Sequence, residues 1–492
     1  MYGEILQIGE EKQLFVDDWI VDDAWAAPRV VHQGVRYPGN PILEADQPWE
    51  GIRVCFPEVH RRADGWWQMW YVGHQFEAEA GSGRPWATYG IGYAVSEDGL
   101  RWEKPELKVV DYAGVPARNL VVGHEHRNDR GEWIASQHGP QGLFLVHGGG
   151  PATGDGLLHA VTKATPADLA EAHPKGGLCH VVSGDGIHWY RAPSRFLLIT
   201  GHSDCMNQVV WNPERSRYVA YLRPPVFAGP AKRRMSYSES SDMVEWTQPV
   251  VALFPDEADP PGRDIDRFRI FRSGRLWLGF LALFDHASWT DTMHSELIYS
   301  RNGLRWERFP RRVPILGRGA PGAFDETYAV LTTPPFARDG RLWAYYDGWG
   351  GDSRTPRPPG PPAAIGCVSW RQDGLVSRRH QPEGFAWGGP GEILTRTLLC
   401  PGGRLYVNYQ SVREGSLRVG VQAVDAQSGD QWRSAQWAAG YGYEQCCPLT
   451  GDETDATVRW EGQPSLDPFT GRPIRLRFQL DRAEIFAFQV RR

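Results

Sequence analysis

The sequence has little to staple it or to hold a metal. Its seven cysteines, at 55, 179, 205, 367, 400, 446 and 447, contain no Cys-x-x-Cys pair, and no His/Cys spacing matches a zinc site. An odd, scattered set reads as reduced thiols in a cytoplasmic protein. No apolar run approaches the length that crosses a membrane, and Met1-Tyr2-Gly3-Glu4 has neither the basic nor the apolar region of a secretory leader. Membrane is therefore not an expected partner. Excess charge is also lacking. Lys and Arg number 53 against 59 Asp and Glu, a formal net charge of −6 over 492 residues. With no basic face, nucleic acid is an unexpected partner.

What the chain has is aromatic side chains and turn residues. It holds 22 Trp, 56 Gly and 38 Pro, with 41% hydrophobic residues. This composition suits many short strands, and the length suits two domains. Aromatic richness with mild negative charge suits a neutral, hydroxyl-rich ligand such as a sugar.

One stretch recurs. Ser96-Glu97-Asp98-Gly99-Leu100-Arg101-Trp102 returns as Ser183-Gly184-Asp185-Gly186-Ile187-His188-Trp189 and as Ser300-Arg301-Asn302-Gly303-Leu304-Arg305-Trp306. A worn copy runs from Ser240 to Trp246, and Asp373-Gly374 after Trp370 is a remnant. Each follows an apolar strand, turns on Asp-Gly or Asn-Gly, and leads to a Trp that packs back. Repeats of this kind predict radially arranged four-stranded sheets, an all-β five-bladed β-propeller. The propeller is expected over residues 1–380. Beyond Arg378–Gly384 the signature disappears and alternating strands such as Arg475–Leu480 predict a C-terminal β-sandwich over 385–492. Residues 13–22 are expected to join or pack on the last blade and remove its open edge. Residues 164–177 read as a short helical insertion. Fourth strands are expected at Arg101–Pro105 in the first blade and His188–Arg191 in the second.

Ligands in such a ring sit in the central funnel, so the residues at the start of each inner strand matter most. These are Pro57-Glu58, Ser136-Gln137-His138, His202-Ser203-Asp204 with Asn207, Asp264-Ile265-Asp266-Arg267, and Asp325-Glu326. Carboxylates recur there. Paired carboxylates serve glycoside cleavage: one gives a proton to the leaving oxygen, and another attacks the anomeric carbon or activates water. Crowded like charges keep one protonated. Asp266 is the first candidate acid and Glu326 the second; Asp204 and Glu58 are candidate bases or nucleophiles. Arg267, Arg223, Asn207, His138, Asp264 and Asp325 are candidate substrate ligands, and Trp49 and Trp349 candidate stacking platforms. For each of these, a packing or salt-bridge role is the competing reading.

Leu14-Phe15-Val16-Asp17-Asp18, Gly39-Asn40-Pro41-Ile42-Leu43, Tyr93–Trp102 and Arg472–Phe478 together resemble the five-bladed propeller glycosidases of families 32, 43, 68 and 130, and most of all bacterial family-32-like proteins. The resemblance implies a propeller with a C-terminal β-sandwich and a glycoside hydrolase or transglycosidase acting on a small furanoside or oligosaccharide. Family 32 carries its nucleophile in Asn-Asp-Pro-Asn-Gly on the first inner strand, where this chain reads Cys55-Phe56-Pro57-Glu58-Val59. Its Arg-Asp-Pro element is replaced by Ser203-Asp204-Cys205, and its Glu-Cys acid element corresponds to Asp266-Arg267. The resemblance requires no cofactor, leaves room for a structural calcium on the axis, and is compatible with a homo-oligomer. A non-catalytic carbohydrate-binding propeller is the alternative; a phosphorylase, a sialidase and a protein-binding scaffold are further ones.

Overall fold

The computed structural model describes residues 4–492 except 79–84, 113–114, 124–126, 133, 135–141, 165–176, 193–205, 224–232, 286–290, 352–362, 383–387 and 425–435. Among the described residues the regular structure is β-strand with short 3-10 turns and no α-helix. The expected helical insertion falls at 165–176, outside them. The chain forms two compact units. One comprises residues 34–336 and 343–369; the other comprises 1–33, 337–342 and 370–492. Residues 1–33, expected in the first domain, thus belong to the same unit as the C-terminal strands.

The larger unit is a series of antiparallel sheets built in chain order. Sheet I joins Arg53–Arg61, Trp67–Ala78, Pro85–Ser96 and Leu120–Val122. Sheet II joins Leu143–Leu145, Leu158–Ala164, Gly177–Ser183 and Tyr190–Arg191. Sheet III joins Gln208–Asn212, Arg217–Leu222, Met235–Ser240 and Val250–Leu253. Sheet IV joins Arg263–Ser273, Leu276–Asp285 and Thr292–Ser300, with Glu307–Arg308 and Pro314–Leu316 along its outer edge. Sheet V joins Tyr328–Leu331, Arg341–Trp349, Ala364–Arg371 and Val35–Arg36, and meets sheet IV at the parallel pair Met293 and Tyr328. The second strand of sheet IV is the most apolar: Leu276–Phe284 is buried at every position, as a strand covered on both faces must be.

The recurring stretch joins neighbouring sheets as well as turning the chain. Asp98 Oδ1 accepts the N–H groups of Leu100 and Arg101 at 2.8 Å each, and Ser96 Oγ accepts that of Gly99 at 2.8 Å. Asp185, Asp242 and Asn302 repeat the pattern. The glycine carbonyl that this exposes is then claimed by the preceding sheet. Trp70 Nε1 of sheet I donates to Gly186 O at 2.6 Å, and Tyr221 of sheet III donates to Gly303 O at 2.5 Å. Tyr345 of sheet V donates to Gly99 O at 2.6 Å, so the last sheet clasps the first. Sheets II and III meet through His147, whose N–H donates to Val209 O at 3.1 Å and whose carbonyl accepts from Trp211. These links close the sheets into a β-propeller.

Two strand expectations need correction. Residues 13–22 do not complete the last sheet: Gln13–Leu14 pairs with Ala487 and Phe488, and Val21–Trp25 pairs with Glu392–Thr395. The N-terminal chain does close sheet V, but through Val35 and Arg36 opposite Ser369 and Val368. In sheet I the outer strand is Leu120–Val122, and the segment after the turn makes only the bridge Val95–Glu103, because Trp102 folds back against Tyr345 with ring centres 5.9 Å apart.

In the second unit, two long strands, Arg404–Ala423 and Pro473–Arg491, pair along most of their lengths. Register shifts at Asn408/Tyr409 and Ser411/Ser416 bend them, as bulges do. Phe478 and Phe488, from opposite ends of one strand, come within 5.4 Å of each other, and Phe15 packs on both. The bent sheet therefore closes over a single core as a sandwich.

Candidate active site

The inner strands of sheets I and IV carry the unusual chemistry. On Arg53–Arg61 the register slips between Cys55 and Glu58, and Phe56 takes a left-handed φ of +55°. This is a bulge of the kind found where a strand re-aims its groups. It points the Phe56 N–H at Asp347 Oδ1, 2.9 Å away. Asp347 comes from Arg341–Trp349, the second strand of sheet V. Its other oxygen pairs with Arg267 Nη1 at 2.8 Å. Arg267 Nε in turn pairs with Asp266 Oδ2 at 2.7 Å. Arg267 thus bridges two buried carboxylates, with its guanidinium 4.7 Å over the Phe56 ring.

The two carboxylates have opposite surroundings. Asp266 Oδ1 accepts from Arg223 at 2.7 Å and also from Arg233. Burial works to raise its pKa, but Arg267, Arg223 and Arg233 outweigh that and hold the carboxyl well below the usual range. Asp347 is also buried, and here burial prevails: the carboxyl is pushed up to about 6 despite Arg267, the Phe56 N–H and Arg53. The sequence offered Asp266 as the first candidate acid; its surroundings favour the ionised form, whereas those of Asp347 favour the protonated one.

Glu58 belongs to a neighbouring buried cluster. It is fully buried, pairs with the fully buried Arg269, and lies 3.0 Å from His147 Nε2. Desolvation lowers His147 to about 4 and Arg269 to about 9. With Arg269 and His147 around it, Glu58 is held as an ion-pair strut between inner strands, away from the role of base.

The remaining candidates divide. Arg223 and Arg267 both pair with Asp266. Asp264 and Asn207 are buried at the starts of their strands. Asp325 is buried and holds Arg36 Nε at 2.7 Å and Tyr346 OH at 3.0 Å, a structural tie inside sheet V. Glu326 accepts the Gly322 N–H at 2.7 Å and closes that turn. Trp49 is 4% exposed and stacks on Tyr71, over Gly73, Gly90 and Gly92, whose missing side chains make room for it. Trp349 is equally buried, edge-on to Tyr328. Neither ring is a platform for a sugar. Asp204 and His138 lie outside the described residues, and the inner strand of sheet II is Leu143–Leu145, beyond His138.

Sequence reading missed Asp347, Arg53, Arg233, His147 and Arg269. A signal existed for two of them. Asp347 ends the apolar run Leu342-Trp343-Ala344-Tyr345-Tyr346, and Arg269 stands between Phe268 and Ile270. A charge inside a buried strand demands a partner. Guanidiniums crowd this described part of the funnel, a setting that suits no calcium ion, whose ligands are oxygens. Among the described residues no group of three or more His, Cys, Asp or Glu is placed to hold a metal.

No family model matches the chain, and no curated protein matches it. Solved structures similar in architecture include a glycosyl hydrolase from Bacteroides ovatus, 12% identical, covering 73% of this chain and 97% of its own with a TM-score of 0.47. A second comes from work on the family-130 mannoside phosphorylases, described as containing hydrolases of β-1,2 mannosidic linkages in Candida mannan; it is 13% identical, covers 73% and 97%, and has a TM-score of 0.46. A third is a thermostable family-43 glycoside hydrolase, 10% identical, covering 69% and 95%, with a TM-score of 0.44. At such distances the chemistry has to be read from this chain's own residues.

Proposed function

We propose that the chain is a glycosidase whose sheets are the blades of a five-bladed propeller, and that Asp347 is its general acid and Asp266 its ionised carboxylate. One observation carries this reading: two buried carboxylates share Arg267, yet their environments drive their proton affinities apart. That split is how one site holds an acid and an anion at the same pH. In the reaction, Asp347 gives its proton to the glycosidic oxygen as the C–O bond breaks. Asp266, held ionised by three guanidiniums, stabilises positive charge at the anomeric carbon or bonds to it. Water then supplies the hydroxyl of the released sugar and returns a proton to Asp347.

A binding protein without turnover is the second reading. The three guanidiniums that occupy Asp266 favour it, since they leave that carboxylate little freedom to react. Incubating the full chain with a panel of glycans and aryl glycosides separates the two. The enzyme reading expects release of sugar from at least one member, reduced about 10²- to 10⁴-fold in Asp347→Asn. Turnover unchanged in that variant would reject the assignment. Tight glycan binding with no release from any member would favour the second reading.

A further inference from the structure

Two guanidiniums at this site exceed what the carboxylates require. Asp266 already has Arg223 on Oδ1 and Arg267 on Oδ2 when Arg233 adds a third cation, at Oδ1. The Arg233 side chain is 28% exposed, the most open of the three. Arg53 opens the inner strand of sheet I, and among the described residues no carboxylate pairs with it. Both cations are held over aromatic faces. Arg233 lies 5.0 Å from the Phe284 ring centre, and Arg53 lies 4.7 Å from that of Trp349. These two rings belong to one edge-to-face chain. Phe284 meets Tyr328 at 6.0 Å and 85°, and Tyr328 meets Trp349 at 5.6 Å and 70°. The chain of rings fixes the guanidiniums at its two ends, on either side of the Asp266–Arg267–Asp347 bridge.

Four guanidiniums (Arg53, Arg223, Arg233 and Arg267) thus face two carboxylates, and aromatic faces offset only part of the cost of that surplus positive charge. A bound anion offsets the rest. Guanidinium forks bind oxyanions in two-point contacts and hold them better than they hold neutral hydroxyls. We propose that the substrate is an acidic glycan, whose sugar at this site bears an oxyanion group (a uronic carboxylate, or a phosphate or sulfate ester) met by Arg53 or by Arg233. This rests on the glycosidase reading and adds the substrate's charge to it. It departs from the neutral ligand that the overall composition suggested, because local charge at the site differs in sign from the chain's net charge.

The test uses the full-length protein and matched sugars. Binding of glucuronate, galacturonate and glucose 6-phosphate is measured by calorimetry or ligand-observed NMR against glucose and galactose, at low and high salt. At least one acidic sugar is expected to bind tenfold or more tightly than its neutral counterpart, and more weakly as salt rises. Which one binds tells carboxylate from ester. At least one of Arg53→Gln and Arg233→Gln is expected to weaken it by roughly ten- to a hundredfold. The Lys variant at that position is expected to recover part of the loss, which a folding defect would not allow. Neutral sugars binding as well as acidic ones, both Gln variants behaving as wild type, or no acidic sugar binding at millimolar concentration would each overturn the inference. So would inorganic phosphate binding in place of any acidic sugar. Turnover of neutral glycosides alone leaves the glycosidase reading standing and removes this one. Selective binding of an acidic sugar, with no release from its aryl glycosides, does the opposite.

Discussion

Replacing Asp347 with Asn tests stability and chemistry at once. Its carboxyl is raised from the ordinary 3.8 to about 6, chiefly by burial. A group whose folded-state pKa is raised binds its proton more tightly in the folded protein. It therefore favours folding below 3.8, and that advantage is lost as pH rises through about 6. A shift of about two units amounts to about 3 kcal/mol. Asn has nearly the same shape, still accepts the Phe56 N–H, and does not titrate. The stability of Asp347→Asn relative to wild type should thus grow by about 3 kcal/mol between pH 4 and pH 7. Thermal midpoints of the two proteins, measured in parallel across that range, report the gap; every other titrating group cancels in the difference. Activity should move the other way, falling about 10²- to 10⁴-fold. In wild type, turnover should decline above pH 6, as the acid loses its proton. A constant gap between the two stability curves would refute the raised pKa. A widening gap with undiminished activity would refute only the catalytic role.

Arg269→Leu leaves Glu58 buried without its cation and should cost about 3–5 kcal/mol, while Arg269→Leu with Glu58→Leu should recover much of it; chemical denaturation of the single and double variants measures the coupling. Gly186→Ala places a Cβ 2.6 Å from the Trp70 ring at φ +81° and should destabilise by about 2–4 kcal/mol, whereas Gly65→Ala, at φ +92° with nothing within 4 Å, should show only the smaller backbone cost, about 1–2 kcal/mol. In the C-terminal unit, burial would raise Glu484, but His32, Arg379 and Ser377 reverse this and hold it at about 2. Its contribution of about 3 kcal/mol is present above pH 4.5 and lost as pH falls through 2, so Glu484→Gln should flatten the acid limb of an unfolding curve followed by tryptophan fluorescence.

The turns were legible because their chemistry is local. Ser, Asp and Gly within four residues set the whole hydrogen-bond pattern, and even the worn copy keeps it, with Met243 accepting φ +63° in the glycine's place. Strands that follow an apolar run, such as Leu276–Asp285, were legible for the same reason. What could not be read is what depends on distant partners. Nothing in Gln13–Leu14 says that it pairs with residues near 488 rather than with a propeller strand. Val35–Arg36 is too short to carry a pattern, yet it supplies the outer strand of sheet V. Charge type at the funnel was readable in Asp266 and Arg267, but which carboxyl keeps its proton depends on Arg223 and Arg233, brought in from sheet III.

The bulge on the first inner strand sets the partners of two carboxylates: Phe56 and Pro57 stand in a kink between Cys55 and Glu58. The kink turns Glu58 toward Arg269 and His147, where it is consumed as a strut. It also leaves the Phe56 N–H facing the funnel, and Asp347 takes that donor. A carboxylate from the second strand of sheet V is thereby tied to the first strand of sheet I. The same strand supplies Trp349, two residues on and hence on the same face, whose ring holds Arg53. Between them Gly348 leaves no room for a Cβ, which would meet Phe324 at 2.3 Å and Asp325 at 2.9 Å. Asp347 and the ring that holds Arg53 are thus set by the register of a single strand, and a one-residue slip would turn both to its opposite face.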